Sequence, residues 1–556
     1  MQLNGSEILI EVLIKNNVDT IFGYPGGSVL FIYDALYKKR DYIKHVLTAH
    51  EQGAAHAADG YARVTGKTAV VFATSGPGAT NLVTGIANAF LDSTPMVVIT
   101  GNVPTTLLGK DTFQEVDIVG VTMPIVKHSF MVKNIEELAN TVNTAFAIAS
   151  TGRPGPVLID IPKDVQSGMC EYNGKLDQPI IKDNTLVDFD EEKINEAVNL
   201  IKKAKKPYIY CGGGTVFSNS GNLLIELADK IDAVIGTSMM GISAIPNSYE
   251  KNLGMTGMHG KYCSSMAHAK SDLIIAVGVR FSDRATGNKA EYTKDTSIIH
   301  IDIDPAEIGK NIRPNVGMSG DVYEILKILI SKTPKIENKA WLNEVDEYKK
   351  EQEKNEPSDN IMVAKNIIKT INNYADDNTI VVTDVGQHQM WAVQYYKIQK
   401  PRTFITSGGL GTMGFGMGAA IGSCIGANKK RTILFTGDGS FGMNLNELAT
   451  AVSQNLPLII ILMNNSVLGM VRQWQSAFYD KRYSSTILDR KTDFVKLADA
   501  FGAKGYRVTN IEELDRTIKE CIDTESPVLI DCIIDKDDRV LPMIPPGGCI
   551  KDIIVK

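Results

Sequence analysis

Three doubly wound α/β domains, each a parallel sheet with helices on both faces, are what this sequence predicts. Three observations carry the prediction. Apolar runs such as Val70-Val-Phe-Ala, Pro95-Met-Val-Val-Ile and Leu458-Ile-Ile-Ile-Leu-Met lack the alternation of a strand with one wet face, so they belong in buried parallel sheets. The chain also repeats itself. Val70-Val-Phe-Ala-Thr-Ser-Gly-Pro-Gly runs through a helical stretch, 81–91, into Thr94-Pro95-Met-Val-Val-Ile-Thr-Gly-Asn102. Ile433-Leu-Phe-Thr-Gly-Asp-Gly runs through a helix, 444–454, into Leu456-Pro457-Leu-Ile-Ile-Ile-Leu-Met-Asn464 at nearly the same spacing. Finally, 556 residues suffice for three or four domains, each with its own core.

The first domain, 1–180, opens on the amphipathic stretch Ser6-Glu-Ile-Leu-Ile-Glu-Val-Leu-Ile and closes on the strand Pro156-Val-Leu-Ile-Asp-Ile161. A polar stretch, 172–187, reads as a linker. The central domain, 190–345, begins with a helix over 190–205, then the strand Tyr208-Ile-Tyr-Cys and the turn Gly212-Gly213-Gly214. Strands at Leu273-Ile-Ile-Ala-Val and Ser297-Ile-Ile-His-Ile-Asp302 follow. The charged segment 332–356 reads as a second linker. The last domain, 360–556, ends in a tail bearing Leu541-Pro-Met-Ile-Pro-Pro-Gly-Gly548.

Composition excludes several functions. A hydrophobic fraction of 44% with 22% charged residues is that of a globular protein in water. The net charge of −6 gives no electrostatic case for nucleic acid or an anionic membrane. The seven cysteines form no Cys-x-x-Cys pair, so neither a zinc site nor a disulfide framework is expected. No apolar run approaches the roughly 20 residues of a membrane helix. With no signal peptide at the N-terminus, the cytoplasm is the expected location.

The chemistry concentrates at the second copy of the repeat. Gly437-Asp438-Gly439 ends one strand and Asn464-Asn465 ends the next, the edge at which an open α/β sheet binds ligands. Glycines let backbone N–H groups approach phosphate oxygens, and the following helix adds its positive end. Asp438 and Asn465 offer two oxygen ligands to a hard divalent cation shared with diphosphate. Only this copy carries the acidic ligand; the first carries Glu51 in His50-Glu51-Gln52.

These segments resemble the cofactor signature of thiamine-diphosphate enzymes. Further motifs narrow the resemblance to the catalytic subunit of acetohydroxyacid (acetolactate) synthase: Phe22-Gly-Tyr-Pro25-Gly-Gly27, Thr112-Phe113-Gln114-Glu115, Pro162-Lys163-Asp164, Asp384-Val385-Gly386-Gln387-His388, and Gly469-Met470-Val-Arg-Gln473-Trp474. The resemblance covers essentially the whole chain. It implies decarboxylation of pyruvate and transfer of the two-carbon fragment to a second pyruvate or to 2-ketobutyrate, with thiamine diphosphate, Mg2+ and FAD. It assigns Glu51 to the aminopyrimidine ring, with Met413 under the bend of the cofactor. Gly27, Phe113, Gln114 and Lys163 fall near the chemistry, and Arg284, Trp474 and Phe113 near the acceptor.

By the same resemblance thiamine diphosphate meets Pro77, Asn81, Val385, Gly386, Gln387, His388, Gly411, Gly437, Asp438, Gly439, Ser440, Asn465, Leu468, Gly469 and Met470, and Val467 joins Asp438 and Asn465 around the metal. Flavin contacts fall on Arg153, Gly212, Gly213, Gly214, Thr237, Met239, Met258, His259, Gly260, Arg280, Asp283, Arg284, Asp302, Ile303, Asp321 and Val322. As a dinucleotide fingerprint the glycine turn is poor, because Phe217 stands where the third glycine of Gly-x-Gly-x-x-Gly belongs. The reaction has no net redox change, so a structural or vestigial role for the flavin is expected.

The residue types suit this chemistry. Decarboxylation needs an electron sink that side chains lack, and a bidentate arginine suits a carboxylate acceptor. One departure from the family pattern, Gly416-Met417-Gly418-Ala-Ala in place of a Leu-Pro-bearing segment, is expected to loosen the helix start there. Pyruvate oxidase shares the domain order and cofactors, but Gln473-Trp474-Gln475 and Thr112-Phe-Gln-Glu fit the synthase better. A flavin-free acetolactate synthase is disfavoured by the 280–287 segment and Trp474, and a catalytically dead scaffold by intact Glu51, Asp438 and Asn465. A homodimer or tetramer and a regulatory small subunit are the expected partners.

Overall fold

A computed structural model describes residues 1–179, 190–354 and 361–555. Its three large sheets each have six strands, all parallel. The N-terminal sheet runs Lys44–Leu47, Thr20–Tyr24, Ala69–Ala73, Met96–Asn102, Pro156–Pro162, His128–Met131. The C-terminal sheet runs Phe404–Ile405, Ile380–Thr383, Thr432–Gly437, Leu458–Asn464, Val528–Ile533, Lys504–Val508, the same order by position in the domain. The repeat read in the sequence is therefore a repeat of topology. It extends to side chains: Asn102 donates to Asp160 on the neighbouring strand, and Asn464 donates to Asp531 at the matching place.

The apolar runs are buried along their length, as parallel strands covered on both faces must be. The central sheet has a different order. From Asn252–Met255 through Val234–Thr237 to Pro207–Cys211, then Leu273–Val277, Ser297–Asp302 and Val316–Ser319, it reads 3-2-1-4-5-6. This is the dinucleotide-binding arrangement, with the order reversing beside Pro207–Cys211, the strand that feeds Gly212-Gly213-Gly214. Among the described residues, no helix is long and apolar enough to cross a membrane.

The two outer domains meet through the Glu51–Thr65 and Phe415–Gly426 helices, both rich in glycine and alanine. A β-carbon on Gly422 would lie 1.7 Å from the Ala57 carbonyl oxygen, and one on Gly60 2.2 Å from that of Ala419. Only glycine allows backbones to approach so closely. The helix start at Gly416-Met417-Gly418, where the sequence suggested loosening, is buried and closely packed. Gly418 faces the Gly53 carbonyl, and Asp384 accepts the Gly414 N–H at 2.9 Å.

Two other expectations need correction. The helix expected over 444–454 is two, Asp438–Asn444 and Glu447–Ser453, and its N-terminal counterpart is likewise Pro77–Asn81 followed by Val83–Leu91. The break turns Glu447 toward the N-terminal domain, where it accepts the N–H groups of Ala49 and His50. The 332–356 segment is not a linker throughout, because Lys339–Glu353 is a helix. Its Trp341 is 1% exposed and donates from Nε1 to the Pro207 carbonyl at 3.1 Å, binding the helix to the central domain. Of the other linker stretch, 180–187 lies outside the described residues.

Candidate active site

At the carboxyl edge of the C-terminal sheet, Gly437 ends one strand and Asp438–Asn444 starts at once as a helix, so Asp438 sits at a helix N-terminus. Burial pushes its carboxyl up to about 6, while its own N–H and those of Asn465 and Gly439 pull the other way. The Asn465 N–H thus lies beside the Asp438 carboxyl. Asn464 is tied to Asp531 at 2.9 Å, and its oxygen accepts the Ser466 N–H, which fixes the loop that carries Asn465. Val467 N–H donates to Asn465 Oδ1 at 3.2 Å. Gln387 joins the group, accepting from Asn465 at 3.3 Å and donating to Gln473 at 3.1 Å.

His388 lies under this edge. A β-carbon on Gly437 would come within 2.9 Å of its Nδ1, so the glycine leaves room for the ring. Burial lowers its pKa to about 3, making it neutral, and its Nε2 is buried without a hydrogen-bond partner. Gly437 N–H points to Ser440 Oγ at 3.3 Å, and Leu468 and Met413 approach Gly439. Val385 N–H is held by Asp384, and Gly386 and Gly469 flank Gln387. The structure therefore gathers Gly386, Gln387, His388, Met413, Gly437, Asp438, Gly439, Ser440, Asn465, Val467, Leu468 and Gly469 around one strand-end crevice.

The N-terminal edge gathers the other set. Glu51 opens its helix and is 8% exposed; its Oε2 accepts from Asn81 at 2.9 Å, and Oε1 lies near Gly78. Gln114 packs on Gly76, just before Pro77, and adopts φ +61°. Ser28 Oγ accepts the Ser75 N–H at 2.8 Å, which brings the Gly26-Gly27 turn alongside. Lys163 starts a short helix at the end of Pro156–Pro162, and Asp164 holds Thr105. Phe113 is 84% exposed. Within one chain these residues do not line the cleft that holds Arg284 and Trp474.

That cleft, of about 1800 Å³, runs along the central domain to the C-terminal one. All the sequence-predicted flavin residues line it except Gly212, Thr237 and Gly260, which sit behind its wall. Gly212 and Gly214 press against Gly278 at the point where the strand order reverses. His259 is shifted down to about 4 by burial, and its Nδ1 has no partner. Arg153 pairs with Glu307 at 2.9 Å and joins the N-terminal domain to the rim. Arg284 lies 5.6 Å over the ring of Trp474, and Val385, Gly411 and Met470 line the same end of the cleft.

Sequence reading missed the acids that position these groups: Asp384, Glu447, Asp531 and Asp92. Asp384 follows a strand end, Asp92 follows a helix end, Glu447 starts a helix and Asp531 lies within a strand; all four are buried. Asp384 is pushed up to about 6 by burial, against the pull of the Val385, Gly414 and Gly416 N–H groups.

Residues 3–121 match the family model for the N-terminal TPP binding domain of thiamine pyrophosphate enzymes, 194–329 the central domain, and 384–532 the C-terminal TPP binding domain. A probable acetolactate synthase large subunit of Methanocaldococcus jannaschii is 43% identical, over 99% of this chain and 95% of its own. An acetolactate synthase large subunit of Buchnera aphidicola is 45% identical over 98% and 97%. The mitochondrial acetolactate synthase catalytic subunit of Saccharomyces cerevisiae is 43% identical over 99% of this chain and 84% of its own.

Proposed function

The chain belongs to the acetolactate synthase large subunits among the thiamine pyrophosphate enzymes, and from that premise we infer how its residues divide the work. Its reaction is the decarboxylation of pyruvate and condensation of the two-carbon fragment with a second 2-keto acid, pyruvate or 2-ketobutyrate. That reaction serves branched-chain amino-acid biosynthesis. The observation that carries the residue assignment is Asp438 and Asn465 at neighbouring strand ends, above a buried His388 whose Nε2 lacks a partner.

Thiamine diphosphate and Mg2+ suit that crevice. Among the described residues no three His, Cys, Asp or Glu side chains converge on a metal position. A cation held by Asp438 and Asn465 would take its remaining oxygens from the Val467 carbonyl, diphosphate and water. Gly437, Gly439, Ser440, Gln387, His388, Leu468, Gly469 and Met470 would hold the diphosphate end, with Met413 supporting the rings. When bound, thiamine diphosphate supplies the electron sink for decarboxylation.

Glu51 would hold a proton at the aminopyrimidine ring, with Asn81 fixing one of its oxygens so that the other is presented. Gln114 and the backbone at Gly27 would donate to the pyruvate carbonyl oxygen as charge develops on it. Lys163 adds positive charge at this edge, and Phe113 and Pro77 keep it apolar. Arg284 would grip the acceptor carboxylate while Trp474 packs against its alkyl end. FAD suits the central cleft, where the reversal of strand order, the glycine turn at 212–214 and the partnerless His259 Nδ1 favour a dinucleotide.

Two copies of the chain complete the site in this reading. Leu47 and Phe113 at the N-terminal edge, and Met443 and Ile487 at the C-terminal one, are exposed at 51, 84, 57 and 61%. Such apolar edges suit a symmetric dimer in which the Glu51 edge of one copy covers the Asp438 edge of the other. The naming of the relatives as large subunits supports a small regulatory partner. A net charge of −6 offers no attraction to anionic membranes, in keeping with a cytoplasmic enzyme. Incubation with pyruvate, alone or with 2-ketobutyrate, while thiamine diphosphate, Mg2+ and FAD are omitted in turn, tests the reading. Acetolactate that disappears without thiamine diphosphate or Mg2+ supports it; no acetolactate with all three present overturns it.

A further inference from the structure

Residues 407–414 belong to the C-terminal domain, yet half of their anchors come from the N-terminal one. Asp92, just past the Val83–Leu91 helix, accepts the Gly409 N–H at 2.7 Å and the Gly408 N–H at 3.2 Å. One turn earlier, Asn88 Oδ1 accepts the hydroxyls of Ser407 at 2.5 Å and Thr412 at 3.2 Å. Ser407 Oγ in turn accepts the Thr412 N–H at 2.9 Å, closing the loop on itself. At its far end Asp384 accepts the Gly414 N–H, and Asn444 donates to the Gly414 carbonyl at 2.8 Å.

The anchors are themselves fixed. Asn88 donates to Asp59 at 2.9 Å, and Arg63 bridges Asp59 and Asp92 while donating to the Thr406 carbonyl. Asn88, Asp59, Asp92, Arg63 and Ser407 are all buried. Between the pins, Gly408, Gly409, Leu410 and Gly411 are exposed and line the central cleft. A segment with glycine at 408, 409, 411 and 414 has little conformational preference of its own, so external hydrogen bonds decide its shape.

We propose that Asp92 and Asn88 are positioning residues for the reaction, holding the 408–413 loop so that one network sets both Gly411 and Met413 at the thiamine diphosphate crevice and the Gly408–Leu410 wall of the flavin cleft. The proposal rests on the cofactor assignment made above. Asp92→Asn is the informative change. An amide offers one acceptor where the carboxylate serves two N–H groups and a guanidinium, and its NH2 faces donors.

The first readout is amide hydrogen–deuterium exchange on the cofactor-free protein. In Asp92→Asn the amides of residues 408–412 are expected to exchange at least ten-fold faster, with the Leu458–Asn464 strand unchanged. Titrations with thiamine diphosphate plus Mg2+, and separately with FAD, should each show affinity weakened at least ten-fold, with kcat falling more than the pyruvate KM rises. Unchanged loop exchange overturns the proposal, as does faster exchange with both affinities intact. If Asp92→Asn does not fold, Ser407→Ala, which deletes one hydroxyl from the same network, is held to the same outcomes. Wild-type protein that fails to bind thiamine diphosphate contradicts the assigned function instead, a result separate from the exchange measured without cofactor.

Discussion

Replacing Gly422 by alanine tests how the two outer domains are joined. The added carbon would lie 1.7 Å from the Ala57 carbonyl oxygen and 2.5 Å from its carbon, both backbone atoms of a buried helix. Contacts of a real β-carbon begin near 3.0 Å, so the Glu51–Thr65 and Phe415–Gly426 helices must part by about 1.3 Å. Overpacking of this kind costs about 1–3 kcal/mol. For a domain of this size that is roughly 2–12 °C in thermal midpoint. The functional cost is larger, because one helix begins at Glu51 and the other follows Met413. A displacement of about 1 Å at reacting groups is worth up to ~10²-fold in rate. The assay pairs a thermal melt with kcat for acetolactate formation, using Gly442→Ala as control, since a carbon there meets only the end of Arg490 at 3.1 Å. A Gly422→Ala protein with wild-type midpoint and kcat would refute the close-packed joint.

Four further outcomes are expected. Asp438→Ala should weaken Mg2+-dependent thiamine diphosphate binding at least ten-fold while circular dichroism is unchanged; equal affinity by titration would remove its metal role. Glu51→Gln should slow turnover by about 10²–10⁴-fold. Mixed with Asp438→Ala after subunit exchange, it should regain activity, because a heterodimer then contains one intact site; no recovery despite proven exchange counts against a shared site. Trp474→Leu should lower the preference for 2-ketobutyrate by about ten-fold or more, the worth of roughly 1–3 kcal/mol for one methylene, with acetolactate formation retained; a competition assay with an unmoved product ratio makes Trp474 a packing residue. Asp160, buried between Thr100 and Asn102, is pushed up to about 7, chiefly by burial. Its protonated form is favoured in the fold, so its contribution to stability is complete below the ordinary carboxylate range and is lost as pH rises through about 7. The stability of Asp160→Asn relative to the wild type should therefore improve by about 3 kcal/mol between pH 4 and pH 7 in denaturant titrations, and a constant difference would show that Asp160 does not titrate there.

Much of this architecture was legible in the residues themselves. Apolar runs without alternation specify buried parallel strands, and two such runs with a glycine turn and a Pro-started second strand specify a duplicated unit. The shared position of Asp438 and Asn465 was legible for the same reason: they follow the ends of consecutive strands, so local sequence alone places both at one sheet edge. The role of the 212–214 glycine turn was less so. Phe217 spoils the fingerprint, and what supports dinucleotide binding is the 3-2-1-4-5-6 strand order, which no local pattern encodes.

Contacts between distant segments were decided only by the tertiary structure. Glu447 reaching Ala49 and His50, Asp92 reaching Gly408 and Gly409, and Trp341 docking on Pro207 join residues separated by 397, 316 and 134 positions or more. The close packing of the Gly416–Gly418 helix start belongs to the same class. By propensity those glycines are weak, but against a neighbouring backbone they are required. Periodicity and strand-end chemistry are local and survive in a string of letters. Which buried acid meets which backbone N–H depends on how two helices cross, and that is fixed only when the domains pack.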